Sequence, residues 1–165
     1  MRLFLPFLAA FLMASSMAMA GPKIWGVAEA GMSPDEIQQL FPEAKTGTRD
    51  TAGASGAVEL LRLKGHRFQG EPFTVRFFFD QDSLQIVMLS HEEPGTTSTR
   101  SILAFTGHFT RLYGSPDYQD SHPLLDASDF TYRRYAWDAP ERNVVVAWVQ
   151  RGDLDPFMNI NFTAP

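Results

Sequence analysis

The sequence predicts an α+β fold, two αβββ repeats forming antiparallel sheet with helices packed on one face. Three observations carry that expectation. A short helix with its own start and stop signals, "GMSPDEIQQLFPEA" (Gly31–Ala44), is answered later in the chain by "STRSILAFTGHFTRLYGSPDY" (Ser98–Tyr118). Each is followed by alternating, strand-like sequence. Their punctuation also keeps step: Pro42 and Pro116 end the helices, and Leu84 and Leu154 open the third strands after acidic turns.

The chain begins with a segment outside the fold. Arg2 supplies a positive start, Leu3–Met13 is apolar but for Pro6, and Ala18-Met19-Ala20 is a small–x–small cleavage pattern. Residues 1–20 therefore read as a signal peptide cleaved after Ala20, and they are too short and too weakly flanked to be a transmembrane anchor. The expected location is the bacterial periplasm or the secreted space. No later apolar run is long enough to cross a bilayer, so no stable membrane insertion is expected after cleavage. Residues 21–165 read as a single α+β domain made of two repeats, about 24–90 and 98–163.

In the first repeat, Ser33 is an N-cap, Pro34 suits the first helical position and Glu36 completes a capping box. Ile37, Leu40 and Phe41 form one apolar face, and Pro42 stops the helix. The small, polar stretch "KTGTRDTAGASG" reads as a loop, and "AVELLRLKG" as a strand. In "PFTVRFFFD", Phe73, Val75, Phe77 and Phe79 point one way, opposite Thr74, Arg76 and Asp80, with Phe78 an exception. "LQIVMLS" follows a turn at Asp80–Ser83, with Leu84, Ile86 and Met88 on one face.

The second helix starts at Ser98 or Thr99, carries the stripe Ile102, Phe105, Phe109 and Leu112, and ends at Gly114 and Pro116. "DYQDSHPLLDASD" reads as a polar loop. The strands "FTYRRYAWD", "NVVVAWVQ" and "FMNINF" complete the unit. One such unit has too little to cover its sheet, so two copies are needed to close a core.

The chain has no cysteine, which excludes disulfides, thiolate metal sites, a cysteine nucleophile and a lipidated cysteine. Its net charge is −5 at pH 7, and more negative once Arg2 leaves with the leader. That balance argues against nucleic acid or anionic lipid as the main partner.

Catalytic and metal constellations are sparse. His66, His91, His108 and His122 show no paired ligand spacing. Asp117, Asp120 and His122 share one polar loop, and "HEEPG" reads as a turn. Asp80 and Asp82 imitate the start of a calcium loop, but Leu84 stands where its third acid should be. "GASGA" lacks the last glycine of a nucleophile elbow, and "RGD" at Arg151–Asp153 is a hairpin turn. No phosphate-binding loop is present. The reading is a protein that is not an enzyme, with no metal site and no cofactor.

Binding chemistry gathers instead on the second meander. Tyr135 and Trp137 share one strand face with Arg133, and Trp148 lies on the next strand. These are the residue types enriched at binding hot spots. They form a binding surface if that face is open, and core if the two halves close over it. Trp25 reads as a lid on the core.

The stretch "GMSPDEIQQLFP" resembles the Gly-Met-Ser/Thr helix signature of the BamE/SmpA outer-membrane assembly lipoproteins. The tandem helix-plus-meander pattern is similar to that of the secreted β-lactamase inhibitor protein. Neither likeness is complete: the lipobox cysteine is absent, and the Leu-Gly-x-Pro helix ending is matched better by Leu112–Pro116 than by Phe41-Pro42. The resemblance implies an exported, non-catalytic protein that binds other proteins, in envelope maintenance or as an inhibitor. The expected partner is therefore a protein or peptide of the cell envelope. The alternative is a periplasmic carrier of a small hydrophobic ligand, with a cleft lined by residues such as Phe78, Val87 and Trp148. A hydrolase using His122 and Asp120 is a third reading.

Overall fold

The computed structural model describes residues 21–52, 55–92, 99–123, 130–151 and 156–165. Residues 1–20, read above as a signal peptide, Ser98, the "HEEPG" turn beyond Glu92, and the Gly152–Leu154 end of the last turn lie outside the described residues. So do the second half of the "DYQDSHPLLDASD" loop and Gly53-Ala54 of "GASGA".

The chain opens with β1 (Lys23–Trp25) and β2 (Ala28–Glu29), which pair as a small hairpin. Then come α1 (Pro34–Leu40), β3 (Lys45–Thr46), β4 (Val58–Phe68), β5 (Glu71–Asp80) and β6 (Ser83–His91). The second half repeats the order with α2 (Thr99–Tyr113), β7 (Tyr118–Pro123), β8 (Phe130–Ala139), β9 (Arg142–Arg151) and β10 (Phe157–Thr163). Strands β3 to β10 form one 8-stranded antiparallel sheet in the order β3-β4-β5-β6-β10-β9-β8-β7.

This corrects the expected fold class. The molecule is mostly β, not an α+β fold with a helical layer packed on one face of its sheet. Helices α1 and α2 have only 7 and 15 residues, and α1 buries Ile37 alone. The helix signals are strong but local: the Ser33–Glu36 capping box forms, with Pro34 behind it. Capping decides where a helix starts, and it does not lengthen the helix enough to cover a sheet. Each unit also contains a fourth strand not anticipated from its sequence, the short edge strands β3 and β7. Part of the polar stretch after α2 is therefore sheet.

The two units meet third strand to third strand. Asn161 of β10 stands opposite Met88 of β6, and Ile160 opposite Leu89. Alternation then gives the sheet an inner and an outer face. Phe73, Val75, Phe77, Val87, Leu89, Ile160, Phe162, Val144, Val146, Trp137 and Trp148 share the inner face and one hydrophobic cluster. Ile37, Ile102, Phe105 and Phe109 from the helices, and Ile24 and Trp25 from the hairpin, join that cluster. The exception noted in β5 has a physical cause. Phe78 faces outward yet is buried, with the Arg76 guanidinium 5.2 Å from its ring centre.

Two tight turns set the register of the first meander. Gln69-Gly70 and Gln81-Asp82 both have positive φ, the conformation of two-residue hairpin loops. Asp80 and Asp82 are therefore parts of a hairpin tip. Gly114 closes α2 at φ +90, and its carbonyl accepts from Trp137 Nε1 at 3.0 Å.

Candidate functional site

Strand β4 departs from simple alternation twice, and each departure builds a site. Glu59 pairs with Phe78 and Leu61 with Phe77, so Leu60 is an extra residue. This bulge turns Glu59 to the outer face while Leu61 stays inward. Further along, Leu63 pairs with Val75 and His66 with Phe73. Here Gly65, at φ +72, takes up the irregularity and keeps His66 on the inner face.

Outward, Glu59 is completely buried and held by two arginines. Arg62 Nε donates to its Oε1 at 2.6 Å, and Arg76 donates to its Oε2 from Nε at 2.8 Å and from Nη2 at 2.6 Å. The Thr48 hydroxyl adds a bond at 2.9 Å, and Arg76 Nη2 also reaches Asp50 at 2.6 Å. Burial pushes the Glu59 carboxyl up. The bonds from Arg62, Arg76 and Thr48, with the charge of Arg76, outweigh it and hold the group below its ordinary 4.5. The loop over this carboxylate requires glycine: a Cβ on Gly47 would lie 2.7 Å from Glu59 Cγ and 2.9 Å from its carbonyl oxygen.

Over this network lies an open groove of about 540 Å³ lined by Arg62, Lys64, Arg76, Thr74, Ser90 and Glu92, among others. Glu92 is occupied, accepting from the Gly65 amide at 2.7 Å and the Thr74 hydroxyl at 2.9 Å. Lys64 and the Nη1 atoms of Arg62 and Arg76 carry no hydrogen bond to another described residue. Asp50 also lines the groove, paired with Arg76, so its free donors are Lys64 and the outer edges of the two arginines that Glu59 holds from beneath.

Inward, a second cleft of about 360 Å³ runs between the β1–β2 hairpin, β4 and α2. Trp25 stands edge-on to His66 at 5.0 Å, and Phe68 edge-on to His108 at 5.5 Å. Burial lowers both imidazoles from 6.5, with the nearby Arg111 charge adding to the effect at His108. The unfolded chain binds protons at a higher pH than the folded one, so stability falls as pH drops below 6.5. A thermal melt series from about pH 7.5 to 5.5 should show this decline, and a His66→Phe, His108→Leu double variant should flatten it. Equal slopes in both proteins would mean the imidazoles are solvated.

No family model, curated protein or solved structure matches this chain.

The residues singled out on the second meander are brought together, but on the inner face. Tyr135, Trp137 and Trp148 are 9%, 1% and 3% exposed and belong to the core cluster. Arg133 lies 5.7 Å from the Trp148 ring centre. As placed, the three aromatics present almost no surface. Phe78, Val87 and Trp148 cannot line one cleft, because Phe78 faces the opposite side of the sheet from the other two. Asp120 of β7 accepts from the Tyr118 hydroxyl at 3.1 Å, and the His122 side chain lies outside the described residues. His91 lies 3.2 Å from Glu71. Among the described residues no three of His, Asp and Glu gather as metal ligands, and no helix is long and apolar enough to cross a membrane.

Sequence reasoning missed Glu59, Arg62 and Arg76 as a unit. An acid inside "AVELLRLKG" is a visible anomaly, but its partners come from strand register. It likewise treated His66 and His108 separately, although the bulge at Gly65 and the turn of α2 bring them to one cleft.

Proposed function

We propose that this chain is an exported, non-catalytic binding module that holds an acidic segment of another envelope protein against the outer face of its sheet. The observation that carries the reading is the groove over Glu59. Three cations line it, two of them fixed by a buried carboxylate, and its two lining carboxylates are already engaged, Asp50 with Arg76 and Glu92 with Gly65 and Thr74, so little side-chain freedom is lost on binding. It is broad and open, which suits a chain segment.

The same face continues across the seam to Arg134, stacked at 5.5 Å on the half-exposed Tyr118. Residues of this kind dominate interface energetics. The leader at residues 1–20 supports export, and the likeness to envelope assembly lipoproteins points the same way.

The test uses a photo-crosslinking residue at Met88, on the outer face beside Arg76, and at Leu103, exposed on α2. In cells, Met88 should capture a discrete partner and Leu103 should not. A Lys64→Glu, Arg134→Glu variant should reduce that capture about tenfold or more, because charge complementarity governs encounter. Equal capture from both faces, or capture indifferent to the charge reversal, would remove the reading. The mature protein should begin at Gly21; a chain retaining residues 1–20 would sink the export claim.

A further inference from the structure

We propose that the inner cleft is a binding site for a small aromatic carboxylic acid of one or two fused rings. It lies on the face opposite the groove and stands independently of the function proposed for that groove. Its walls are rings: Trp25, Phe68, Phe109 and Tyr113. Tyr113 and Leu112 remain 36% and 57% exposed at α2, so apolar surface is accessible at the cleft. A cleft of about 360 Å³ with few polar groups is the usual form of a small-molecule site.

Charge selects the ligand. Among the residues lining the cleft, Arg142 is the one with a permanent charge, and no carboxylate lines it. Arg142 Nη1 donates to the Ile24 carbonyl at 3.1 Å, which fixes the guanidinium against the hairpin. Its anionic neighbour Glu141 is 3.5 Å away and 77% exposed, a loose pair screened by solvent. Its Nε is buried without a hydrogen-bond partner. Arg111 adds positive charge beside His108. His66 and His108 stay neutral at pH 7, because burial lowers both, so they offer hydrogen bonds without a second cation. An aromatic amine would meet the same rings but be repelled by both arginines. An aromatic acid gains the rings and the guanidinium together.

The probes are 2-naphthoate, 2-naphthylmethylamine and 2-naphthalenemethanol, which share one ring system and differ in charge. Binding is read from the indole N–H signal of Trp25 by NMR, with the buried Trp137 and Trp148 as internal references, and by calorimetry. The expected result is a Trp25 shift with naphthoate, and affinity about tenfold above that of the amine, with the alcohol between. Leu112→Glu, at an exposed position of the rim, should weaken naphthoate about tenfold and narrow or reverse its advantage over the amine, which the new carboxylate attracts. Arg142→Met should erase the difference between acid and alcohol. No Trp25 shift with any probe overturns the proposal. So does equal affinity for acid and amine, or naphthoate binding unchanged by Leu112→Glu, a variant whose fold is not at risk.

Discussion

Glu59→Ala lowers the unfolding free energy by about 3–5 kcal/mol, since it leaves Arg62 and Arg76 half-buried without their shared anion. In a domain of this size that is a fall in Tm on the order of 10 °C. Urea unfolding should show a lower midpoint at unchanged slope. The cost comes from two partly buried guanidinium groups that lose their shared acceptor, Arg76 keeping only its bond to Asp50 and Arg62 only its bond to Thr48. A Glu59→Ala, Arg62→Ala double variant should therefore cost less than the sum of the two single changes. A loss under about 1 kcal/mol would show an ordinary solvated surface pair.

The same carboxylate has an acid limit. Its folded-state pKa lies below its ordinary 4.5, so its contribution is complete above that value and is lost as pH falls through the depressed one. This window is separate from that of His66 and His108, which opens below 6.5. The acid profile should thus descend in two steps, and Glu59→Ala should remove only the lower.

Trp137→Ala costs about 3–5 kcal/mol, as expected for a large side chain lost from a packed core. Trp137 is 1% exposed, tilted against Phe109 at 5.6 Å and stacked on Tyr135 at 6.5 Å. Trp137→Phe retains most of the packing but orphans the Gly114 carbonyl at the end of α2, a loss of about 1 kcal/mol. Chemical denaturation of both variants measures the two parts separately. A cost under about 1 kcal/mol for the alanine change would mean that the ring is available to a partner. The expected large loss would place the aromatic group with the core and leave the proposed protein recognition to the outer face.

Much of the local structure was legible. The Ser33–Glu36 cap, the turn at Asp80–Ser83, the end of α2 at Gly114 and the alternation of β5 all depend on residues near one another in sequence. Each is decided by backbone sterics, a side-chain cap or the two-residue period of a strand. The class was misjudged because good capping signals gave the helices more weight than 7 and 15 residues can carry. The edge strands were missed because neither has the apolar alternation that marks a half-buried strand: β3 spans only Lys45–Thr46, and β7 is the polar run Tyr118–Pro123.

Reading along the chain was enough to place the inward residues of β5 and β10, the helix ends and the absence of cysteine chemistry, but it put Ile86 and Met88 on the face of Leu84, whereas the irregularity between Phe78 and Phe79 turns Val87 and Leu89 inward and those two outward. Strand pairing across the two halves makes the sheet continuous through β6 and β10 and puts Tyr135, Trp137 and Trp148 in the core. Pairing with β5 places the extra residues of β4 at Leu60 and beside Gly65. A bulge is a mismatch in count between two paired strands, so it cannot be read from either strand alone. Both candidate sites are made at those mismatches, where Glu59 turns outward to its arginines and His66 turns inward to Trp25.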